Sequence, residues 1–139
     1  MSVIVAAVDF STHSRKAFEA AIRLAEDLEA KLVLVHAFSP VPRVGVRDPI
    51  GQAKAEIDAG EWQTLCKQWA TEARASLDVE TVGREGKPAD VIANVVAETK
   101  ATLVVVGSHG RSGLKRAVLG SVAEAVVRSS KVPVVVVPA

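Results

Sequence analysis

The 139-residue sequence predicts an α/β domain built on a parallel sheet with helices on both faces. Two observations carry this expectation. Short, valine-rich apolar runs alternate with longer amphipathic stretches along the whole chain. Such runs are the pattern of strands covered on both faces, and a helical crossover is what returns the chain to a parallel neighbour. In addition, 49% of the residues are apolar, enough for one sizeable core, so residues 1–139 read as one domain.

The first strand is Ser2–Val8, with Val3, Ile4, Val5 and Val8, and it ends at Asp9. From His13 to Leu28, Ala17, Ala21, Leu24, Ala25 and Leu28 fall on one helical face and charged side chains take the rest. Lys31–His36 is a second buried strand. Pro40, Pro42, Gly45, Pro49 and Gly51 then punctuate the longest loop. A second helix is expected over roughly Gln52–Ser76, with Trp62, Leu65 and Trp69 as a core-packing stripe. Leu77–Glu85 alternates only weakly, which suits an edge strand. Pro88 fits a first helical position, and Val91, Ile92, Val95 and Val96 carry a third helix to about Thr99. Thr102–Val106 runs as a strand into Gly107. A last helix carries Val122, Ala125, Val126 and Ser129, and Pro133–Val137 is the closing strand.

Charge and special residues exclude several classes. Lys+Arg 17 against Asp+Glu 16 leaves a net charge of +1, no broad field to draw the chain onto nucleic acid or an anionic membrane. The single Cys66 cannot form an internal disulfide, and His13, His36 and His109 make no metal-ligand spacing with it. The opening residues carry no basic segment and too short an apolar run for a signal peptide, so a cytoplasmic location is expected.

In an open parallel sheet, ligands bind beyond the carboxyl ends of the strands, where strand order reverses. The richest segment after any strand is Gly107–Ser121, with Gly107, Gly110, Gly113 and Gly120, Ser108, Ser112 and Ser121, and the cations Arg111, Lys115 and Arg116. Glycine lets backbone N–H groups close around an anion as a concave nest. A helix beginning after Gly120, with Ser121 expected as its cap, would present further N–H groups to the same phosphates. The segment contains neither a Gly-Lys-Ser/Thr triplet nor a Gly-x-Gly-x-x-Gly fingerprint, which weakens kinase and dehydrogenase readings. A plain glycine-rich turn is the competing reading.

Written as Gly107-x2-Gly110-x9-Gly120-Ser121, after Leu-Val-Val-Val and before a helix and Val-Pro-Val-Val-Val-Val, the segment resembles the ATP-binding branch of the universal stress protein family. The opening Ile-Val-Ala-Ala-Val-Asp-Phe-Ser, the Leu-Val-Leu-Val-His of strand two and Gly-Lys-Pro-Ala before helix three extend the likeness over nearly the whole chain. The resemblance implies a Rossmann-like five-stranded sheet in order 3-2-1-4-5, a homodimer, and ATP between the ends of strands one and four with adenine reaching toward strand two. It gives Asp9 a nucleoside contact and gives Ala7 and Ala37 backbone or packing contacts. It makes Gly107, Ser108, His109, Gly110, Arg111, Ser112 and Gly113 the phosphate loop, and Gly120, Ser121 and Val122 a second phosphate contact. Thr102, where an aspartate is common, and Gly113, at a variable place, depart from the pattern outside its fixed positions.

Alternatives accompany each residue. Asp9 can equally cap the first helix or fix the turn with Ser11 and Thr12. His109 has no sequence-placed carboxylate and no serine forced beside it as a nucleophile, so its side chain is expected toward solvent or a backbone carbonyl. His36 reads as a half-buried structural histidine and Cys66 as an inert apolar residue. Arg111, Lys115 and Arg116 read as phosphate partners or as a solvated turn. The apolar edge Val134–Val137 invites pairing with a second copy. The function expected is stress-related regulation through bound ATP, with Mg²⁺ bridging the phosphates where needed and no catalytic residues. A slow ATPase and a nucleotide-free interaction scaffold are the alternatives.

Overall fold

A computed structural model describes residues 2–38, 61–109 and 119–138. Nine elements follow one another: β1 (Val3–Ala7), α1 (Thr12–Leu28), β2 (Lys31–Phe38), α2 (Glu61–Ala73), β3 (Val79–Glu85), α3 (Pro88–Thr99), β4 (Leu103–Gly107), α4 (Ser121–Ser129) and β5 (Val134–Val137). The strands form one five-stranded sheet in the order β3-β2-β1-β4-β5, and every pairing is parallel. The registers Val5 with Val33, Val5 with Val104 and Val104 with Val134 run across the sheet.

Because side chains alternate across a strand, the pleat divides each apolar run between two cores. Ile4, Ala6, Leu32, Leu34 and Val105 pack with Ala17, Phe18, Ala21 and Ala25 of α1 and Cys66, Ala70 and Ala73 of α2. Val5, Val33, Val35, Val104 and Val106 pack with Val91, Ile92 and Val95 of α3 and Ala123 and Val126 of α4. Both faces of β1, β2 and β4 are therefore dry, which is why their sequences lack a polar alternation. Ser11 caps α1, its hydroxyl accepting the Ser14 N–H at 3.1 Å. Pro88 opens α3, where its missing N–H costs no helical hydrogen bond.

Two helical faces differ from the sequence expectation. Leu28 is 56% exposed rather than in the stripe of α1, because that helix ends there and Glu29 turns away in the left-handed region at φ 52. In α4 the buried residues are Ala123 and Val126, whereas Val122 is exposed. The N-terminal part of the expected second helix, residues 52–60, and the loop before it lie outside the described residues. α2 ends at Ala73, short of the expected Ser76.

Candidate functional site

After β1 the chain enters α1 on one face of the sheet, and beyond β4 the next described helix, α4, lies on the other. β1 and β4 are neighbours, so strand order reverses between them and their carboxyl ends bound a crevice. Gly107, the last residue of β4, lies close to the start of α1: a Cβ there would stand 3.2 Å from the His13 carbonyl oxygen and 3.4 Å from that of His109. Only a residue without a side chain allows that approach unhindered, so this glycine has a packing reason as well as a place in the motif.

Asp9 lies just beyond β1 and is half-buried. Its Oδ1 accepts the Ser11 N–H at 2.9 Å, and its own N–H donates to Ser14 Oγ at 3.3 Å. Asp9 thus fixes the strand-to-helix turn, while the cap itself is Ser11.

Ser108 joins three elements. Its N–H donates to the Val137 carbonyl of β5 at 2.9 Å, and its carbonyl accepts the Gly120 N–H at 2.6 Å. Its hydroxyl lies 2.9 Å from His109 Nδ1. His109 is only 5% exposed, so of the two expected directions, solvent or a backbone carbonyl, the first does not hold, and its Nδ1 meets the Ser108 hydroxyl. Burial removes water as a partner, and the adjacent hydroxyl supplies a hydrogen bond instead.

Gly120 is the N-cap of α4 at φ -61, ψ 157, and among the described residues no side chain caps the helix. Ser121, expected to be the cap, is instead the first helical residue. The opening N–H groups of any helix lack intrahelical acceptors and carry partial positive charge, so this terminus favours an anion. Ala7 and Ala37 are half-buried on the α3/α4 side of the sheet, the side on which α4 begins. The structure therefore brings together Ala7, Asp9, Gly107, Ser108 and His109 at the ends of β1 and β4, with Gly120, Ser121 and Val122 held there through the Ser108–Gly120 bond. Gly110, Arg111, Ser112 and Gly113, with Lys115 and Arg116, lie outside the described residues. No group of three or more His, Cys, Asp or Glu that could hold a metal occurs among the described residues.

Two features escaped the sequence reading. Phe10 adopts φ 64, a left-handed conformation at the end of a strand. All five Phe and Trp residues of the chain then join one network through His36: Phe10 contacts His36 and Trp69, Phe18 contacts Trp69, and Phe38 and Trp62 contact both His36 and each other. His36 is buried, with Nδ1 3.0 Å from the Val8 carbonyl, a structural anchor at the end of β2. Cys66 is buried in the α2 core, and desolvation pushes its thiol up to about 11, leaving it protonated and unreactive near neutrality.

An open all-parallel sheet in the order β3-β2-β1-β4-β5 with helices on both faces defines a Rossmann-like α/β fold. The universal stress protein family model matches residues 1–138. The universal stress protein YxiE of Bacillus subtilis is 32% identical over 143 residues, covering 96% of this chain and 97% of its own. Among solved structures, universal stress protein UspA from Lactobacillus plantarum superposes with a TM-score of 0.81 at 21% identity, over 98% of this chain and 97% of that one. A universal stress protein in complex with cAMP superposes with a TM-score of 0.75 at 29% identity, over 98% and 96%. The chain belongs to the universal stress protein family. No helix among the described residues is long and apolar enough to cross a membrane.

Proposed function

We propose that the chain is a regulatory protein that binds an adenine nucleotide, ATP in the first instance, at the carboxyl ends of β1, β2 and β4. The observation that carries this reading is the convergence of the half-buried Asp9, the Gly107–His109 turn and the N-terminus of α4, where the N-cap is the side-chain-less Gly120, at the switch point of the sheet. A carboxylate suits ribose hydroxyls, and a helix start joined to a glycine turn suits phosphates. The relative at 29% identity whose structure is a complex with cAMP supports an adenine nucleotide as the ligand class. Ala7 and Ala37 leave room beside the strand ends for the nucleoside, and Gly120, Ser121 and Val122 offer backbone donors to the phosphates. Gly110, Arg111, Ser112 and Gly113 complete the loop in this reading. Mg²⁺ bridges phosphate oxygens and water, needing little from protein carboxylates.

The chain acts by binding rather than by catalysis, in the cytoplasm, as a homodimer paired through Val134–Val137. β5 ends the sheet beside β4, and its valines are half-buried. Sedimentation at micromolar concentration is expected to give a dimer, and monomer alone excludes that part of the reading. The test of the site is calorimetric titration with ATP, with and without Mg²⁺, of the wild type and of Asp9→Asn, which keeps an oxygen for the Ser11 N–H but loses the charge. Saturable binding weakened in the variant is expected. Equal binding by both excludes Asp9, and sustained phosphate release with multiple turnovers replaces the regulatory reading with an ATPase.

A further inference from the structure

We infer that Phe10 is a positioning residue for Asp9: its ring, held between His36 and Trp69, keeps the backbone left-handed and so sets where the Asp9 carboxylate stands. The functional half of this inference rests on the nucleotide reading above.

Among the described residues, three other than glycine have positive φ: Phe10 at 64, Glu29 at 52 and Lys100 at 54. Glu29 and Lys100 are the C-caps of α1 and α3, where a left-handed residue is the usual way to end a helix. Phe10 has no such reason. It follows a strand, and for a bulky side chain that region is strained by the contact of Cβ with its own backbone. Backbone strain persists only where the surroundings over-determine it.

Here the surroundings are aromatic. The Phe10 ring centroid lies 4.9 Å from that of His36 and 5.0 Å from that of Trp69, the latter edge-to-face. Both walls are themselves fixed. His36 is tied through Nδ1 to the Val8 carbonyl at 3.0 Å. Trp69 lies 5.4 Å from the Phe18 ring and carries the Arg15 guanidinium 5.0 Å above it. β2, α1 and α2 therefore all act on one ring.

The consequence falls on Asp9. With residue 10 left-handed, the chain doubles back so that the Ser11 N–H reaches Asp9 Oδ1 at 2.9 Å and Ser14 Oγ receives the Asp9 N–H at 3.3 Å. A carboxylate held this way meets a ligand hydroxyl without first being ordered, which is how preorganisation raises affinity.

The test compares Phe10→Gly, Phe10→Tyr and Trp69→Leu with the wild type in two measurements: ATP affinity by calorimetry and hydrogen exchange of the Ser11 amide. Glycine takes the left-handed conformation without strain but has no ring to stay in it. Phe10→Gly is expected to remain folded, weaken ATP about tenfold and expose the Ser11 amide to faster exchange. Phe10→Tyr keeps the ring and restores both readouts, and Trp69→Leu, which removes one wall, moves both in the same direction as glycine. A residue serving only the core lowers the melting temperature without changing the affinity of the folded protein. Wild-type affinity, or an unchanged Ser11 amide, in both Phe10→Gly and Trp69→Leu overturns the inference. A wild type that does not bind ATP overturns the nucleotide reading instead, and Ser11 exchange then decides alone whether Phe10 positions Asp9.

Discussion

Replacing Ser121 by proline isolates the contribution of one backbone N–H to ligand binding. Proline constrains its predecessor to extended backbone, and Gly120 already sits at φ -61, ψ 157. Ser121 is the first residue of α4, a position where a missing N–H breaks no helical hydrogen bond and a fixed φ near −65° fits. The helix should therefore survive, with folding stability within about 1 kcal/mol of the wild type. If the start of α4 holds phosphate, the variant loses one hydrogen bond to a charged acceptor, worth about 1.5–3 kcal/mol. That corresponds to a Kd for ATP raised roughly tenfold to a hundredfold. The serine hydroxyl is lost as well, so Ser121→Ala is titrated beside it and the difference between the two variants measures the N–H. Calorimetry gives the affinities and thermal melts confirm the fold. A folded Ser121→Pro protein that binds ATP as tightly as Ser121→Ala refutes the assignment of this terminus to phosphate.

Further predictions concern the scaffold. A Cβ on Gly83 would collide with the ring of Trp62, and that ring is stacked at 5.6 Å on Phe38, so it has little freedom to retreat. Gly83→Ala is expected to cost about 1–3 kcal/mol and to shift tryptophan emission, and a Trp62→Leu background should recover part of the loss in denaturant titrations. The Cys66 thiol has a folded value of about 11 against an ordinary 9.0. The unfolded state therefore releases its proton first as pH rises, so the stabilisation is complete below about pH 9 and falls away between about pH 9 and 11. The loss amounts to about 3 kcal/mol, and Cys66→Ala should flatten that limb of the stability profile. Breaking the clasp between α1 and α2 with Glu72→Gln removes a bond to Arg15 whose partners are both partly exposed. Double-mutant cycles with Arg15→Met should give no more than about 1 kcal/mol.

The fold was legible because the central strands are buried on both faces: Val3–Ala7 and Leu103–Gly107 read as apolar runs whichever face each side chain serves. Strand order came from the family resemblance, since no run of valines says which neighbour it pairs with. Helical faces were less certain where they reach an element's end. Leu28 fits the periodicity of α1 but stands where that helix leaves the core, and of the expected α4 stripe Val126 is buried while Ala123 rather than Val122 accompanies it. At the site, Asp9 and Gly107 were found by their places after strands. The left-handed Phe10 was not, because it depends on His36 and Trp69, brought close only by the folded chain, and the Ser108–His109 bond, though between adjacent residues, follows from a burial of His109 that has no local signal. Trp62 and Trp69 were legible as one helical stripe, but Phe10 and His36 are far from them in sequence, so the network that joins them had no local signal.

The most direct test of the central claim is mapping amide chemical shifts during titration of isotopically labelled protein with ATP. The account predicts saturable changes concentrated at Asp9, Ala37, Gly107, Ser108, His109 and Gly120 through Ala123, with the opposite strand ends at Val3, Lys31 and Val79 unmoved. Changes centred on those opposite ends, or none at millimolar ATP, would contradict it.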